Sequence, residues 1–297
     1  MLIRRNDPIE ISPIVLGGAA FNNRDKAEEY YRWIDYYLDK GGNCIDTARI
    51  YCAWIPGGDG ISETLIGNYM SLRGNRRRIK ISTKGGHPPL TDMKCSRLNS
   101  KELKFDLDMS LKALNTDYVD LYFLHRDDPN GDLHELMYAL DGFVREGKVL
   151  ALGASNFTVK RIVEANKAAE EEGFAKFEVS QIGWSYAETT PEKIGDNTLV
   201  FMNDEEYRGY LETGISVMAY SSQAKGFFAA ERFDPDGKHR PYDTPENRMR
   251  RDDLLRAAAE KGISPVVSAL EHITRNRVEA CAIAAVSRFE QLEEILK

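Results

Sequence analysis

The stretch YVDLYFLH, residues 118–125, is apolar at most positions and ends in a histidine. A run that is apolar on both sides predicts a strand of a parallel sheet, because helices cover both faces of such sheets. Seven further short runs share this character: PIVLGG (13–18), NCIDT (43–47), IKISTK (79–84), VLALGAS (149–155), EVSQIG (178–183), ISVMAYS (215–221) and AIAAVS (282–287). The sequence therefore predicts eight strands.

Amphipathic segments lie between these runs. Helices are predicted near 25–40, 61–72, 99–115, 133–147, 158–172, 203–213, 265–276 and from about 289. Eight strands alternating with helices predict a closed (β/α)8 TIM barrel, with a doubly wound open sheet as the alternative. A G-x-G-x-x-G motif after the first strand would favour the open sheet, but VLGGAAF (15–21) lacks that spacing. We therefore predict a single α/β barrel domain over residues 1–297, with an N-terminal β-hairpin.

Two segments interrupt the alternation of strands and helices. CAWIPGGDG (52–60) is rich in glycine and proline, and residues 221–247 form a long segment after the seventh strand. Long loops within a compact domain are usually functional. We expect both on the C-terminal face of the barrel, where the active sites of such barrels lie.

Composition excludes several classes of protein. The net charge is −7 and the basic residues are scattered, which argues against nucleic acid or an anionic membrane as the main partner. No apolar run approaches the roughly 20 residues of a membrane span, and the N-terminus lacks a signal-peptide pattern. The four cysteines and five histidines show no metal-ligand spacing, so we expect reduced thiols and no metal. We predict a cytoplasmic protein of undetermined oligomeric state.

Polar side chains follow three consecutive strands at the point where each strand ends. Asp46 and Tyr51 follow the second strand, Lys84 ends the third and His125 ends the fourth. Each alone has an ordinary explanation, such as a turn cap, a rim aromatic or a structural histidine. Because strand ends of one barrel face meet at a common mouth, we expect the four side chains to converge there.

The four side chains together suit proton donation to an oxygen. The ordinary pKa of tyrosine, about 10, makes it a weak acid, and a neighbouring ammonium lowers that pKa. Lys84 supplies the ammonium, and Asp46 keeps it charged and in place. His125 hydrogen-bonds a substrate oxygen and fixes its direction. This arrangement predicts protonation of an oxygen that is becoming an alkoxide.

An ordered set of short motifs resembles the aldo-keto reductase superfamily over nearly the whole chain. The motifs are DTARIY (46–51), STKGG (82–86), DLYFLH (120–125), GASNF (153–157), VSQIGWS (179–185), AYSS (219–222) and SRFEQLEEIL (287–296). The resemblance implies a barrel that reduces aldehydes and ketones reversibly with a nicotinamide coenzyme and without a metal. It places the catalytic tetrad of that family on Asp46, Tyr51, Lys84 and His125.

The resemblance also implies a set of coenzyme contacts. Ser155, Asn156 and Gln181 would bind the nicotinamide carboxamide, and Tyr220 would stack on the ring. Ser221 and the loop after it would receive the pyrophosphate. The adenosine end would meet three residues of the last motif: Ser287, Arg288 and Gln291. An arginine beside a serine suits a 2′-phosphate, so NADPH is expected in preference to NADH.

Some positions depart from the family pattern. Ala285 stands where many relatives carry a basic residue, and Ile295 stands where many carry asparagine, which leaves the strength of the coenzyme preference open. The segment 52–60 is longer than usual, and we expect it to reshape the pocket with Trp54 as a substrate-binding wall. The carbonyl substrate itself is not determined by these residues.

Two other functions fit the same residues. Barrels of this family also serve as nicotinamide-sensing subunits of other proteins, with little turnover. An aldolase would instead use Lys84 to form a Schiff base with a carbonyl substrate. The coenzyme-like pattern at Ser155, Asn156, Gln181 and Tyr220 would then have no purpose.

Overall fold

A computed structural model describes residues 1–3, 7–229, 234 and 237–297. Eight of its strands are parallel: β3 (Ile14–Gly17), β4 (Cys44–Asp46), β5 (Lys80–Gly85), β6 (Val119–Leu124), β7 (Val149–Ser155), β8 (Phe177–Gly183), β9 (Ser216–Tyr220) and β10 (Ala280–Ala284). They form a closed barrel in the order β10-β3-β4-β5-β6-β7-β8-β9. The predicted (β/α)8 barrel is confirmed, and the open-sheet alternative is wrong.

A short antiparallel hairpin precedes the barrel, as predicted. It pairs β1 (Leu2–Ile3) with β2 (Ile9–Glu10). Ile3, Ile9 and Ile11 are buried in the same apolar cluster as the side chains inside the barrel. The hairpin thus continues the interior core of the barrel.

Helices surround the barrel. They are α1 (Ala27–Asp39), α2 (Ile61–Arg73), α3 (Ser100–Leu114), α4 (Leu133–Arg145), α5 (Val159–Glu172), α6 (Pro191–Ile194), α7 (Asp204–Thr213), α8 (Pro245–Lys261), α9 (Pro265–Thr274) and α10 (Phe289–Ile295). Local caps define many of their ends, and the Asn99 side chain, for example, accepts from the Glu102 backbone N–H at the start of α3. The larger apolar cluster packs the strands against these helices.

Helix α8 was missed by the sequence analysis. Its apolar residues do not recur at helical spacing, and only Asn247, Leu254 and Ala258 are buried. The end signals are nevertheless present, since Thr244 caps the N-terminus ahead of a proline and Gly262 ends the helix with positive φ. The loop predicted for residues 221–247 therefore ends at Thr244, and α8 begins at the next residue. Residues 230–233 and 235–236 within it lie outside the described residues.

The register of the strands determines which side chains meet at the C-terminal end of the barrel. Asp46 pairs with Gly17 on one side and with Ser82 on the other, and Lys84 pairs with Phe123. The backbone N–H of His125 donates to the Gly85 carbonyl, which extends the β5–β6 pairing by one residue. The ends of β4, β5 and β6 are thereby held side by side.

Candidate active site

Lys84 is the centre of a buried polar cluster at this end of the barrel. Its ammonium donates to Asp46 Oδ2 at 2.7 Å, to the Thr47 carbonyl at 2.7 Å and to Tyr51 Oη at 3.0 Å. Three acceptors match the three N–H groups of an ammonium. The side chain is therefore fixed, with only 1% of it exposed.

Asp46 is held by donors from both sides. Ser82 Oγ donates to Asp46 Oδ1 at 2.8 Å, and Gln181 Nε2 donates to the same oxygen at 2.9 Å. The other carboxylate oxygen accepts from Lys84. A buried ion pair needs such additional hydrogen bonds to offset the cost of desolvation.

The pKa of Lys84 follows from burial and charge. Burial alone would lower the pKa of Lys84, but the charge of Asp46 and the contact with Tyr51 raise it above its ordinary value. Lys84 is therefore a charged hydrogen-bond donor at neutral pH. A Schiff-base nucleophile requires a lowered amine pKa, so this environment opposes the aldolase alternative.

The pKa of Tyr51 is shifted in the direction opposite to the one expected from the sequence. Burial raises the pKa of the Tyr51 phenol, and the positive charge of Lys84 opposes that rise without reversing it. The sequence pattern indicated only the second effect. At neutral pH Tyr51 therefore holds its proton and can donate it.

His125 lies next to Tyr51, with 6.0 Å between the ring centroids. Burial, followed by the charges of Arg126 and Lys84, holds the pKa of His125 well below its ordinary value. The imidazole is therefore neutral and carries one N–H. Its Nδ1 is buried and has no hydrogen-bond partner among the described residues.

The residues predicted to hold a nicotinamide carboxamide lie around this cluster. Asn156 has a positive φ of 60°. Its amide nitrogen donates to the His125 carbonyl and to Ser155 Oγ, both at 3.1 Å. Its amide oxygen accepts from the Tyr220 hydroxyl at 2.7 Å and from the Val200 backbone N–H at 3.1 Å. The amide of Asn156 thus joins β7 and β9 to the residue that follows β6, and it fixes the Tyr220 hydroxyl.

A cavity of about 930 Å³ extends from the cluster to helix α10. Its described lining includes Asp46, Tyr51, His125, Ser155, Asn156, Gln181, Tyr220, Ser221, Ser287, Arg288 and Gln291. Lys84 lies behind this lining. Apart from Trp54, the predicted site residues therefore lie in or directly behind one cavity.

The far end of the cavity carries three cations, and the carboxylates of Glu290 and Glu294 also belong to its lining. Arg288 lines it together with Lys225 and Lys238, which the sequence analysis did not identify. Ser287 donates to Gln291 Oε1 through its backbone N–H at 2.8 Å and through its hydroxyl at 3.1 Å. Ala285 and Ile295 also line the cavity. The two lysines were missed because they lie in an irregular segment without a spacing pattern.

Trp54 does not form the expected wall of the pocket. It is 59% exposed and is not part of the described cavity lining. Successive backbone turns fold the segment 52–60. A bidentate ion pair, with distances of 2.7 and 2.8 Å, joins Asp59 near the end of this segment to Arg49, which lies shortly after β4. Folded in this way, the loop leaves the indole in solvent.

Comparison with known proteins confirms the family resemblance that the sequence motifs indicate. The family model "Aldo/keto reductase family" matches residues 13–297. The chain belongs to this family of oxidoreductases acting on carbonyl and alcohol groups.

Three relatives illustrate the similarity. The chain is 30% identical to an aryl-alcohol dehydrogenase of Pestalotiopsis microspora over 96% of its length and 70% of that protein. It is 29% identical to norsolorinic acid reductase B of Dothistroma septosporum over 81% of its length and 60% of that protein. It is 26% identical to the uncharacterized oxidoreductase YrpG of Bacillus subtilis over 97% of its length and 87% of that protein. The chain thus spans only part of the length of these relatives.

Two further findings bear on the expected partners. None of the helices formed by the described residues is long and apolar enough to cross a membrane. Within the same residues, no group of three or more histidine, cysteine, aspartate or glutamate side chains could hold a metal ion.

Proposed function

We propose that this protein reduces an aldehyde or ketone to an alcohol with NADPH, in a reversible reaction. The observation that carries the proposal is the 3.0 Å contact between Lys84 Nζ and Tyr51 Oη at the wall of a cavity shared with His125. A phenol fixed by a charged lysine beside a neutral imidazole is a proton donor with a second hydrogen-bond donor at its side. The name of one relative, an aryl-alcohol dehydrogenase, suggests an aromatic carbonyl as substrate.

The residues lining the cavity fit a nicotinamide coenzyme. The cavity volume of about 930 Å³ lies in the range of ligand pockets. The cations at the far end of the cavity match the phosphate groups of the coenzyme. Ser155, Asn156 and Gln181 would hold the carboxamide, and Tyr220 would stack on the ring. The remainder of the coenzyme would meet Ser221, Ser287, Arg288 and Gln291. The bound coenzyme supplies the hydride.

The side chains of this protein would bind and protonate the carbonyl oxygen of the substrate. Tyr51 Oη and the single N–H of neutral His125 would both donate to the carbonyl oxygen. As negative charge develops there, the proton passes from Tyr51 to that oxygen, and Lys84 stabilises the phenolate left behind. Asp46 keeps Lys84 protonated throughout. Preorganised donors of this kind stabilise the charge without further rearrangement.

The proposal is tested by measuring turnover of benzaldehyde and 4-nitrobenzaldehyde with NADPH, together with coenzyme binding by tryptophan fluorescence. Tyr51→Phe should lower kcat about 100- to 10,000-fold while the Kd for NADPH stays within about twofold, since only proton donation is lost. Tyr138→Phe is the matched control, because Tyr138 is 66% exposed on helix α4. Substantial turnover by the Tyr51 variant would contradict the role given to it.

A nicotinamide-sensing subunit remains the second hypothesis. Tight NADPH binding without turnover of any carbonyl compound would favour it. We also propose a cytoplasmic setting, in keeping with the four free cysteines. We treat residues 1–297 as one functional domain.

A further inference from the structure

Arg126 is a partly buried cation that the proposed reaction does not use. It follows His125 in the chain and lines the same cavity, with 11% of its side chain exposed. No sequence pattern identifies it, because it stands outside the apolar run that ends at His125. Its position beside the proton donors calls for a physical explanation.

The hydrogen bonds of Arg126 leave part of its guanidinium group open. Nε donates to Thr198 Oγ1 at 2.8 Å, Nη1 donates to the His125 carbonyl at 2.9 Å, and Nη2 donates to Asp196 Oδ2 at 3.4 Å. A guanidinium has five N–H groups. Within the described part of the chain, one N–H on each terminal nitrogen therefore has no acceptor.

The charge of Arg126 is also poorly balanced. Charge-assisted hydrogen bonds are usually about 2.7–2.9 Å long, so the 3.4 Å contact with Asp196 is a loose one. The other oxygen of Asp196 accepts from the backbone N–H and the hydroxyl of Thr198. A cation that is largely removed from water favours a closer anion. The cavity therefore offers an anion site at this point.

This site lies at the reacting end of the cavity. Burial is the main cause of the low pKa of His125, and the charge of Arg126 is the next largest. The cations suited to coenzyme phosphates, Lys225, Lys238 and Arg288, belong to other segments of the lining. An anion bound by Arg126 would therefore be part of the carbonyl substrate.

We propose that Arg126 binds a carboxylate of the substrate, so that the protein prefers carbonyl compounds bearing an acid group over their neutral analogues. This inference rests on the proposed function. Two open N–H groups on a planar guanidinium match the two oxygens of a carboxylate. A phosphate dianion fits less well, because it would need further donors and would be repelled by Asp196.

The first test compares kcat/KM for the 2-, 3- and 4-carboxybenzaldehydes with kcat/KM for the methyl ester of each. The acid should be favoured for at least one isomer, by about 10- to 100-fold and mainly through KM. Arg126→Gln should remove that preference, and Arg126→Lys should keep part of it because the charge remains. Arg145→Gln is the matched control, since Arg145 is 67% exposed and outside the cavity lining.

The second test uses a ligand that cannot react. Benzoate binding to the NADP⁺-loaded protein is measured by calorimetry, with benzamide as the neutral comparison. Arg126→Gln should weaken benzoate binding at least about tenfold, and benzamide should show no such dependence. Asp196→Asn should strengthen benzoate binding a few-fold, because it removes the competing carboxylate.

The outcomes separate the inference from the function on which it rests. Turnover of neutral aldehydes without any acid preference, and without benzoate binding that depends on Arg126, would overturn the inference and leave the reductase function in place. Benzoate binding that depends on Arg126, in a protein that reduces no carbonyl compound, would support the anion site and contradict the reductase function. A protein that neither reduces a carbonyl compound nor binds benzoate through Arg126 would overturn both.

Discussion

Strand β5 carries a lysine at its first residue and another near its last, and the two ends of the barrel use buried charge differently. At the N-terminal end, Asp120 accepts from Arg76 Nη2 at 2.9 Å and from the Ile81 backbone N–H at 2.9 Å, and Lys80 Nζ lies 3.6 Å from it. At the C-terminal end, Lys84 meets Asp46 at 2.7 Å. Both carboxylates are buried, but only Asp46 lines the cavity.

The Arg76–Asp120 and Lys84–Asp46 ion pairs differ in whether the cation also contacts a group at the cavity wall. Arg76 also donates to Thr116 Oγ1 and to the carbonyls of Ile79 and Tyr118, so it joins the chain segments before β5 and β6. Lys84 instead places one of its three bonds on Tyr51, whose hydroxyl belongs to the cavity wall. The first pair can therefore only stabilise the fold, and the second can also act on a ligand.

The largest expected effect follows from removing the lysine at the functional end. Lys84→Met should lower kcat about 100- to 10,000-fold, because the phenolate of Tyr51 loses the charge that stabilises it. The measurement is steady-state reduction of 4-nitrobenzaldehyde by NADPH. Lys80→Met, at the opposite end of the same strand, is the matched control and should keep its turnover.

Removing the carboxylate at the structural end should act on stability. Asp120→Asn should lower the free energy of unfolding by about 3 kcal/mol, because it leaves the guanidinium of Arg76 without its buried anion. Urea unfolding followed by circular dichroism measures this change. Asp108→Asn is the comparison, since that side chain is 44% exposed and should cost less than about 1 kcal/mol.

The pH dependence of reduction sharpens the assignment of protonation states. Because the pKa of His125 lies well below its ordinary value and that of Tyr51 lies above its own, both groups stay neutral through the middle of the pH range. We expect kcat to show no inflection near the ordinary histidine pKa of about 6.5 and to fall only above about pH 10, as Tyr51 loses its proton. A step near pH 6.5 that disappears in His125→Asn would contradict this assignment.

The smallest expected effect concerns the coenzyme. Arg288→Gln should reduce the preference for NADPH over NADH about two- to fivefold, because an exposed cation contributes little binding free energy. Fluorescence titration with each coenzyme measures the preference. Arg275→Gln is the control, since Arg275 is 74% exposed and is not part of the described cavity lining. A preference unchanged in Arg288→Gln would indicate that other residues select the coenzyme.

The barrel could be predicted from the sequence because each buried parallel strand is a continuous apolar run. The strand ends then brought Asp46, Lys84 and His125 together without further assumptions, since the register joins β4, β5 and β6 side by side. Helix α8 escaped prediction because few of its side chains are buried, so the apolar pattern is weak.

Other features depend on tertiary contacts that no local pattern reports. The indole of Trp54 could not be placed without knowing how the turns and the Arg49–Asp59 pair fold its loop. The net pKa shift of Tyr51 depends on how far the fold buries the phenol. Arg126 carries no signal of its own in the sequence, and only its three hydrogen bonds in the fold show that two of its five N–H groups remain open.

The contrast between the two ends is tested most directly by measuring two quantities on the same preparations of wild type, Lys84→Met and Asp120→Asn. The quantities are kcat for reduction and the free energy of unfolding. We predict that Lys84→Met loses at least about 100-fold in kcat, whereas Asp120→Asn loses stability and keeps kcat within about twofold in buffer without denaturant. Loss of activity in proportion to loss of stability in both variants would contradict the division of roles between the two ion pairs.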